Sequence, residues 1–206
     1  MATTRSQAAA DKRRQILDAA VKVFAHRGFH ATRVSDIADE AGVAYGLVYH
    51  YFSSKDEVLD TLFLDRWNVL LDVIRETDST DDSARDKLRA IASFIIDSYE
   101  HDPDVMKVII VEVTRAANSF GRTHLTKIRE AYALMAEIVA TAQAEGEFRD
   151  DVTPQFAALA FYGAIEQVLT GWIFDMLPAE DGDHEQAKAF IVDTICDGLG
   201  REPAPT

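Results

Sequence analysis

Thr32–Lys55 reads TRVSDIADEAGVAYGLVYHYFSSK, and the reading of the whole chain turns on it. Ile37, Ala38 and Ala41 share one face of a short helix over 34–41. Gly42 ends that helix in a tight turn, because glycine alone takes the left-handed conformation without strain. Val43 leads into a second short helix, 44–49, followed by the aromatic run His50-Tyr51-Phe52. Ser53 or Ser54 is placed to cap a further helix that starts near Lys55, with Asp56 and Glu57 in its first turn to meet the positive end of the dipole. Two short helices joined by a glycine turn form the helix-turn-helix plan, in which the second helix enters the major groove of DNA and the first lies across its entry. Ala38 and Gly42 allow the two helices to pack closely, and Val43 and Val48 point into a small core.

Upstream, Ile16, Ala19, Ala20, Val23 and Phe24 recur at helical spacing from Asp11 onward, and Arg27-Gly28 closes that helix. Residues 1–10 are small and polar, and disorder is expected there. Downstream, Val58, Leu59, Leu62, Phe63, Trp67, Leu70, Leu71 and Ile74 mark the buried stripe of a long fourth helix. Further helices read as 84–101, 104–118, 122–145, 154–177 and 184–199, with Pro103 and Pro154 near helix starts, where a missing N–H costs nothing. No alternating strand pattern of useful length and no internal repeat occurs. The expected fold is all-α: a three-helix head over 11–55 on a larger helical bundle over 56–206, about nine helices in total.

The formal net charge of −14 is unequally spread. Residues 1–55 hold eight Lys/Arg against five Asp/Glu, and the remainder thirteen against thirty. A basic head on an acidic body suits a protein that meets a polyanion at one end only. No apolar run approaches the ~18 residues of a membrane span, and MATTRSQAAADKRRQ lacks the apolar core of a signal peptide. A cytoplasmic protein without membrane partners is expected. The single cysteine, Cys196, excludes an internal disulfide and a cysteine zinc finger; its apolar surroundings point to the core. His26, His30, His50, His101, His124 and His184 show no HExxH spacing, and there is no glycine-rich phosphate loop and no GxSxG. No catalytic residue, metal or cofactor is therefore expected, and the chain is not read as an enzyme.

The helix-one pattern ILDAAVKVFAHRGFHATRV, the segment IADEAGV and above all GLVYHYFSSKDEVL resemble the DNA-binding domain of TetR-family repressors. The resemblance is strong over 11–65 and extends to the rest through helix layout. It implies a homodimer whose two heads read halves of a pseudo-palindromic operator on double-stranded DNA, with a small-molecule effector in the bundle. Carried onto this chain, Ala44, Tyr45, Gly46, Leu47, Tyr49 and His50 form or flank the recognition helix. Many relatives have Ser, Lys and Thr where this chain has Ala44, Tyr45 and Leu47, which leaves fewer side chains here for base hydrogen bonds. Tyr45 can donate to phosphate or pack on a thymine methyl. Gly46 suits either a close backbone approach to DNA or a packing requirement. Tyr49, His50 and Lys55 are expected on phosphates, Lys55 because it joins a cation to the free N–H groups of a helix start; Arg33 and Ser35 are further phosphate candidates.

The same resemblance places dimerisation on the last two long helices, whose apolar faces include Phe156, Leu159, Leu169, Ile173, Phe190, Ile191 and Ile195. YGAIEQVLTGWIFDM (162–176) and VEVTRAANSFGRTHLTKIREAY (111–132) resemble the acyl-CoA-responsive regulators of fatty-acid degradation within the family. That implies a fatty acyl-CoA effector: an apolar tunnel lined by Trp67, Leu71, Phe94, Met106, Ile110, Leu134 and Phe161, and a basic mouth with Arg115 and Arg122, joined by Lys127 and Arg129. The arginines fit ion pairs with Glu112 and Glu130 equally well. Glu166 either pairs with Arg115 or faces the dimer axis. The alternative effector is another lipophilic or aromatic compound.

Overall fold

The computed structural model describes residues 2–112, 122–178, 180 and 182–200. Among them are nine α-helices and no strand: α1 (Ala2–Arg27), α2 (Val34–Ala41), α3 (Tyr45–Tyr51), α4 (Lys55–Asp78), α5 (Ala84–His101), α6 (Pro103–Lys107), α7 (Arg122–Glu145), α8 (Pro154–Ile173) and α9 (Asp183–Leu199). A π-helical turn, Val108–Glu112, continues α6.

The chain forms two compact units. The first comprises the residues up to Arg66 together with 102–120, and the second holds the rest. The division falls inside α4, eleven residues beyond the expected boundary at 55/56, and it assigns the 102–112 segment to the head. The reason is packing: Val105 and Val108 are buried in the same core as Ile16, Ala20, Phe24, Ile37, Val48 and Phe52, and His26 on α1 lies 3.6 Å from Asp104. α1 is also longer than expected. It starts at Ala2, inside the segment read as a disordered tail. ATTRSQAAADKRRQ contains no proline or glycine, and its alanines, glutamines and basic residues are good helix formers.

Caps define the short helices of the head. α2 ends in a Schellman turn: Gly42 is left-handed (φ 62°), its N–H donates to the Asp39 carbonyl, and Val43 N–H donates back to the Ala38 carbonyl (3.0 Å). A Cβ at Gly42 would meet nothing within 4 Å, so only the backbone demands glycine. Gly42→Ala is expected to destabilise the head by about 1–2 kcal/mol, the cost of a left-handed L-residue, read as a lower urea midpoint. Ser54 caps α4, accepting from Glu57 N–H (3.1 Å), while the Glu57 carboxylate accepts from the N–H and hydroxyl of Ser53 (both 2.6 Å). Those bonds hold the Glu57 carboxyl below its ordinary range.

In the second unit α5, α7, α8 and α9 pack on one another. Phe161, Ile165, Leu169 and Trp172 of α8 and Ile191, Val192 and Cys196 of α9 are buried. Burial pushes the Cys196 thiol up to about 11, so it behaves as a small apolar core residue. Arg85 bridges from α5 to Asp193 (2.7 Å) and Asp197 on α9, and Lys188 pairs with Asp97 and Glu185. α8 is long and apolar enough, by length and composition, to cross a membrane, which corrects the reading that no segment approaches such a span. Its apolar surface divides between a buried stripe and an exposed one bearing Phe156 and Leu159.

Candidate nucleic-acid interface and effector site

Val48 and Phe52 anchor α3 in the core of the head. That anchoring leaves Tyr45, Gly46, Tyr49 and His50 on its exposed face, with Ala44 at the N-cap exposed and Leu47 half-buried. Ala44 provides no side-chain acceptor for the first N–H groups of the helix. Tyr45 and Tyr49 stand one turn apart with rings edge to face (5.1 Å between centroids) and hydroxyls hydrogen-bonded at 3.2 Å. That bond raises Tyr49 above the ordinary phenol range, so it is neutral at physiological pH. A Cβ on Gly46 would meet nothing within 4 Å, which removes a packing requirement within the chain as its reason. Arg33 is exposed at the start of α2, and Ser35 is half-buried in its first turn.

Lys55 departs from expectation. Its ammonium donates to the carbonyls of Phe29 (2.7 Å) and Thr32 (2.8 Å) and sits 4.4 Å from the Phe29 ring centroid. The lysine clasps the α1–α2 loop, whose carbonyls without helical partners lie within its reach. On α1, Arg13 covers the Phe52 ring at 5.0 Å, a contact that spacing alone did not suggest.

Of the expected effector residues, Trp67, Leu71 and Phe161 are buried in the second unit, and Phe94, Leu134 and Glu166 are half-buried there. Met106 and Ile110 belong to the first unit. Arg115 lies outside the described residues, as does the side chain of Arg122, the first residue of α7. Glu130 is paired with Arg75 and, at 3.3 Å, with Lys127.

Sequence reasoning missed an aromatic cluster around Tyr162, whose ring centroid lies 5.4 Å from that of Tyr132 and 5.9 Å from that of Trp67. Glu166 follows Tyr162 by one helical turn and has no hydrogen-bond or ion-pair partner among the described residues. Burial raises its carboxyl above the ordinary range, and burial followed by the Glu166 charge raises Tyr132 and Tyr162. The i, i+4 pairing of Tyr162 with Glu166 was the available signal. A carboxyl that binds its proton more tightly when folded weakens the fold as pH rises through and above the ordinary carboxylate range. Glu166→Gln is therefore expected to raise the urea midpoint at pH 7 and to leave it unchanged near pH 4.

Among the expected interface residues, Phe156, Leu159 and Phe190 are exposed, while Ile173 and Ile195 are half-buried. Leu169 and Ile191 are buried at 1% and 2% exposure within their own chain. Those two are core, which corrects their assignment to the interface.

Residues 16–62 match the family model described as bacterial regulatory proteins, tetR family, and residues 85–195 match the tetracyclin repressor-like C-terminal domain. The fatty acid metabolism regulator protein of Bacillus subtilis is 29% identical over 78% of this chain and 83% of its own length. The transcriptional repressor NicS of Pseudomonas putida is 30% identical over 96% of each chain. The crystal structure of FadR from Bacillus subtilis in complex with stearoyl-CoA superposes with a TM-score of 0.76 at 25% identity, covering 90% of this chain and 98% of that one. These relatives are transcription regulators, not enzymes. The chain belongs to the TetR family of transcriptional regulators.

Proposed function

We propose that the protein is a repressor that binds a pseudo-palindromic operator as a homodimer and leaves it when a lipophilic effector, best a fatty acyl-CoA, occupies the helical body. The DNA-binding part rests on one observation, the outward face of α3, on which Tyr45, Gly46, Tyr49 and His50 are exposed. Tyr49, His50, Arg33 and Ser35 are the phosphate contacts, and Ala44, Tyr45, Gly46 and Leu47 form the edge turned to the bases. The positive charge of the head favours the approach to DNA. The dimer is assigned to the exposed stripe of α8 and its neighbour on α9.

For the effector, similarity to the Bacillus subtilis protein crystallised with stearoyl-CoA joins the chemistry of the second unit. Trp67, Leu71, Phe94, Leu134 and Phe161 offer hydrocarbon neighbours for an acyl chain, and Arg115 and Arg122 are the basic groups assigned to its CoA end. α4 contributes to both units and is one of the three places where the chain passes between them. The effector acts by the difference in its affinity for the DNA-competent and DNA-released states. The aromatic cluster of Trp67, Tyr132 and Tyr162 favours a second reading, an aromatic effector.

Mobility shift against competitor DNA across a salt series tests the first part, and titration with acyl-CoA esters of increasing chain length tests the second. A long-chain ester is expected to weaken operator binding by about 5–150-fold, the usual range of allosteric coupling, and free CoA is expected to have little effect. An operator affinity indifferent to every ester would remove the acyl-CoA part and leave the DNA-binding part standing. Binding indistinguishable from that to competitor DNA would remove both.

A further inference from the structure

We infer that this head reads its operator mainly through thymine C5-methyl groups, with the ring of Tyr45, braced by Tyr49, as the reader. The inference rests on the DNA-binding function proposed above and deepens it.

The groups that α3 offers to the bases are few. Guanine is read by Arg or Lys on O6 and N7, and adenine by Asn or Gln on N6 and N7. The sequence YGLVYHY of α3 contains none of these four residue types. Its outward positions in the first turn are an alanine N-cap, a tyrosine and a glycine, and the next turn adds Tyr49 and His50. Thymine is the one base that offers an apolar handle in the major groove, and apolar side chains read it.

Tyr45 has the form such a reader needs. It is 53% exposed although it lies on a helix packed into the core of the head. The edge-to-face contact and the hydroxyl bond to Tyr49 fix its ring at both ends, so little side-chain freedom remains to be lost on binding. The same hydroxyl bond occupies part of the polar capacity of the pair, which shifts discrimination from the hydroxyl to the ring. Beside it, Gly46 has open space where a Cβ would stand, so the helix backbone can approach the groove closely enough for the ring to lie on a methyl. A tyrosine pair that touches only phosphates would position the head without reading sequence, and that is the competing outcome.

The test uses the full-length protein and an operator selected from random duplexes. Each thymine is then replaced by deoxyuracil symmetrically in both half-sites, which removes the methyl and keeps the base pair. At one or two half-site positions this is expected to weaken binding by about 15-fold, the square of the about fourfold cost of one buried methyl-sized group. Tyr45→Phe is expected to keep that sensitivity. Tyr45→Ala, with its fold checked by circular dichroism, is expected to reduce it to less than about twofold. Full affinity for every deoxyuracil operator would overturn the inference and leave the DNA-binding function intact. So would undiminished deoxyuracil sensitivity in Tyr45→Ala. A selection that enriches no sequence would overturn the DNA-binding function itself, and the inference with it.

Discussion

Lys55→Ala is expected to cost the head about 3 kcal/mol of unfolding free energy, and Lys55→Arg nearly as much. The ammonium of Lys55 donates to the carbonyls of Phe29 and Thr32, and at 3.5 Å to that of His30, in the loop that joins α1 to α2. Phe29 and Thr32 are both buried. Hydrogen bonds to a charged donor are worth about 1.5–3 kcal/mol, and removing the donor strips the Thr32 carbonyl of its bond and leaves the Phe29 carbonyl only the longer one from Thr32 N–H (3.3 Å). Arginine keeps the charge, but its planar fork cannot reproduce a compact ammonium directed at carbonyls on one side and an aromatic face on the other. A phosphate contact would behave differently in both respects: the alanine variant would remain stable, arginine would restore binding, and the salt dependence of operator affinity would fall by about one unit for each phosphate released. The expected result is a lowered urea midpoint for both variants, with an unchanged salt slope at temperatures where they are folded. Normal stability with a shallower salt slope would return Lys55 to the DNA surface.

The loop contacts of Lys55 show where sequence ran out. Periodicity and caps are local, and they placed α2 over 34–41, α5 over 84–101 and α7 over 122–145 with the bounds that the structure has. A long flexible side chain has no such local rule. The carbonyls that Lys55 meets lie 23 to 26 residues earlier, and only the folded head brings them within reach. The division of the chain was hidden for the same reason, since nothing in Pro103–Glu112 marks it as packing on α1 until Val105 and Val108 are seen in that core. The end of α8 was missed by four residues. Met176 and Leu177 N–H groups fold back onto the Gly171 carbonyl, and a Cβ at Gly171 would come within 2.6 Å of the Leu177 side chain. Gly171 is thus part of a turn that looks, in sequence, like an interruption within a longer helix. α3 was legible as a helix because its pattern of core valine, glycine turn and capping serine is entirely local.

A charged residue at Phe156 or Phe190 is expected to separate the proposed dimer, and both together to abolish it at micromolar concentration. α8 is apolar on two faces, so sequence periodicity could not tell core from interface: Leu169 and Ile191 read like Phe156 and Phe190. The structure separates them. Phe156 and Phe190 are 65% and 67% exposed, and α8 and α9 pack against each other. Gly163, two turns after Phe156 on α8, is half-buried, and a Cβ there would meet nothing within 4 Å, so a second helix can approach closely. In a two-fold interface every residue is used twice. Burying a phenylalanine contributes about 1.5–3 kcal/mol, so one Phe→Glu substitution removes about 3–6 kcal/mol from the dimer, or about two to four powers of ten in its dissociation constant. The body is already acidic, and added carboxylates oppose association further. Sedimentation of Phe156→Glu/Phe190→Glu is expected to give a folded monomer, since neither side chain supports the intrachain core, whereas Leu169→Glu is expected to unfold the body. With the heads unlinked, affinity for a full operator is expected to fall by about 10²–10⁴, the avidity of two joined half-sites, and dependence on half-site spacing to vanish. A double variant that still sediments as a dimer and still measures half-site spacing would place the interface on another face of the bundle.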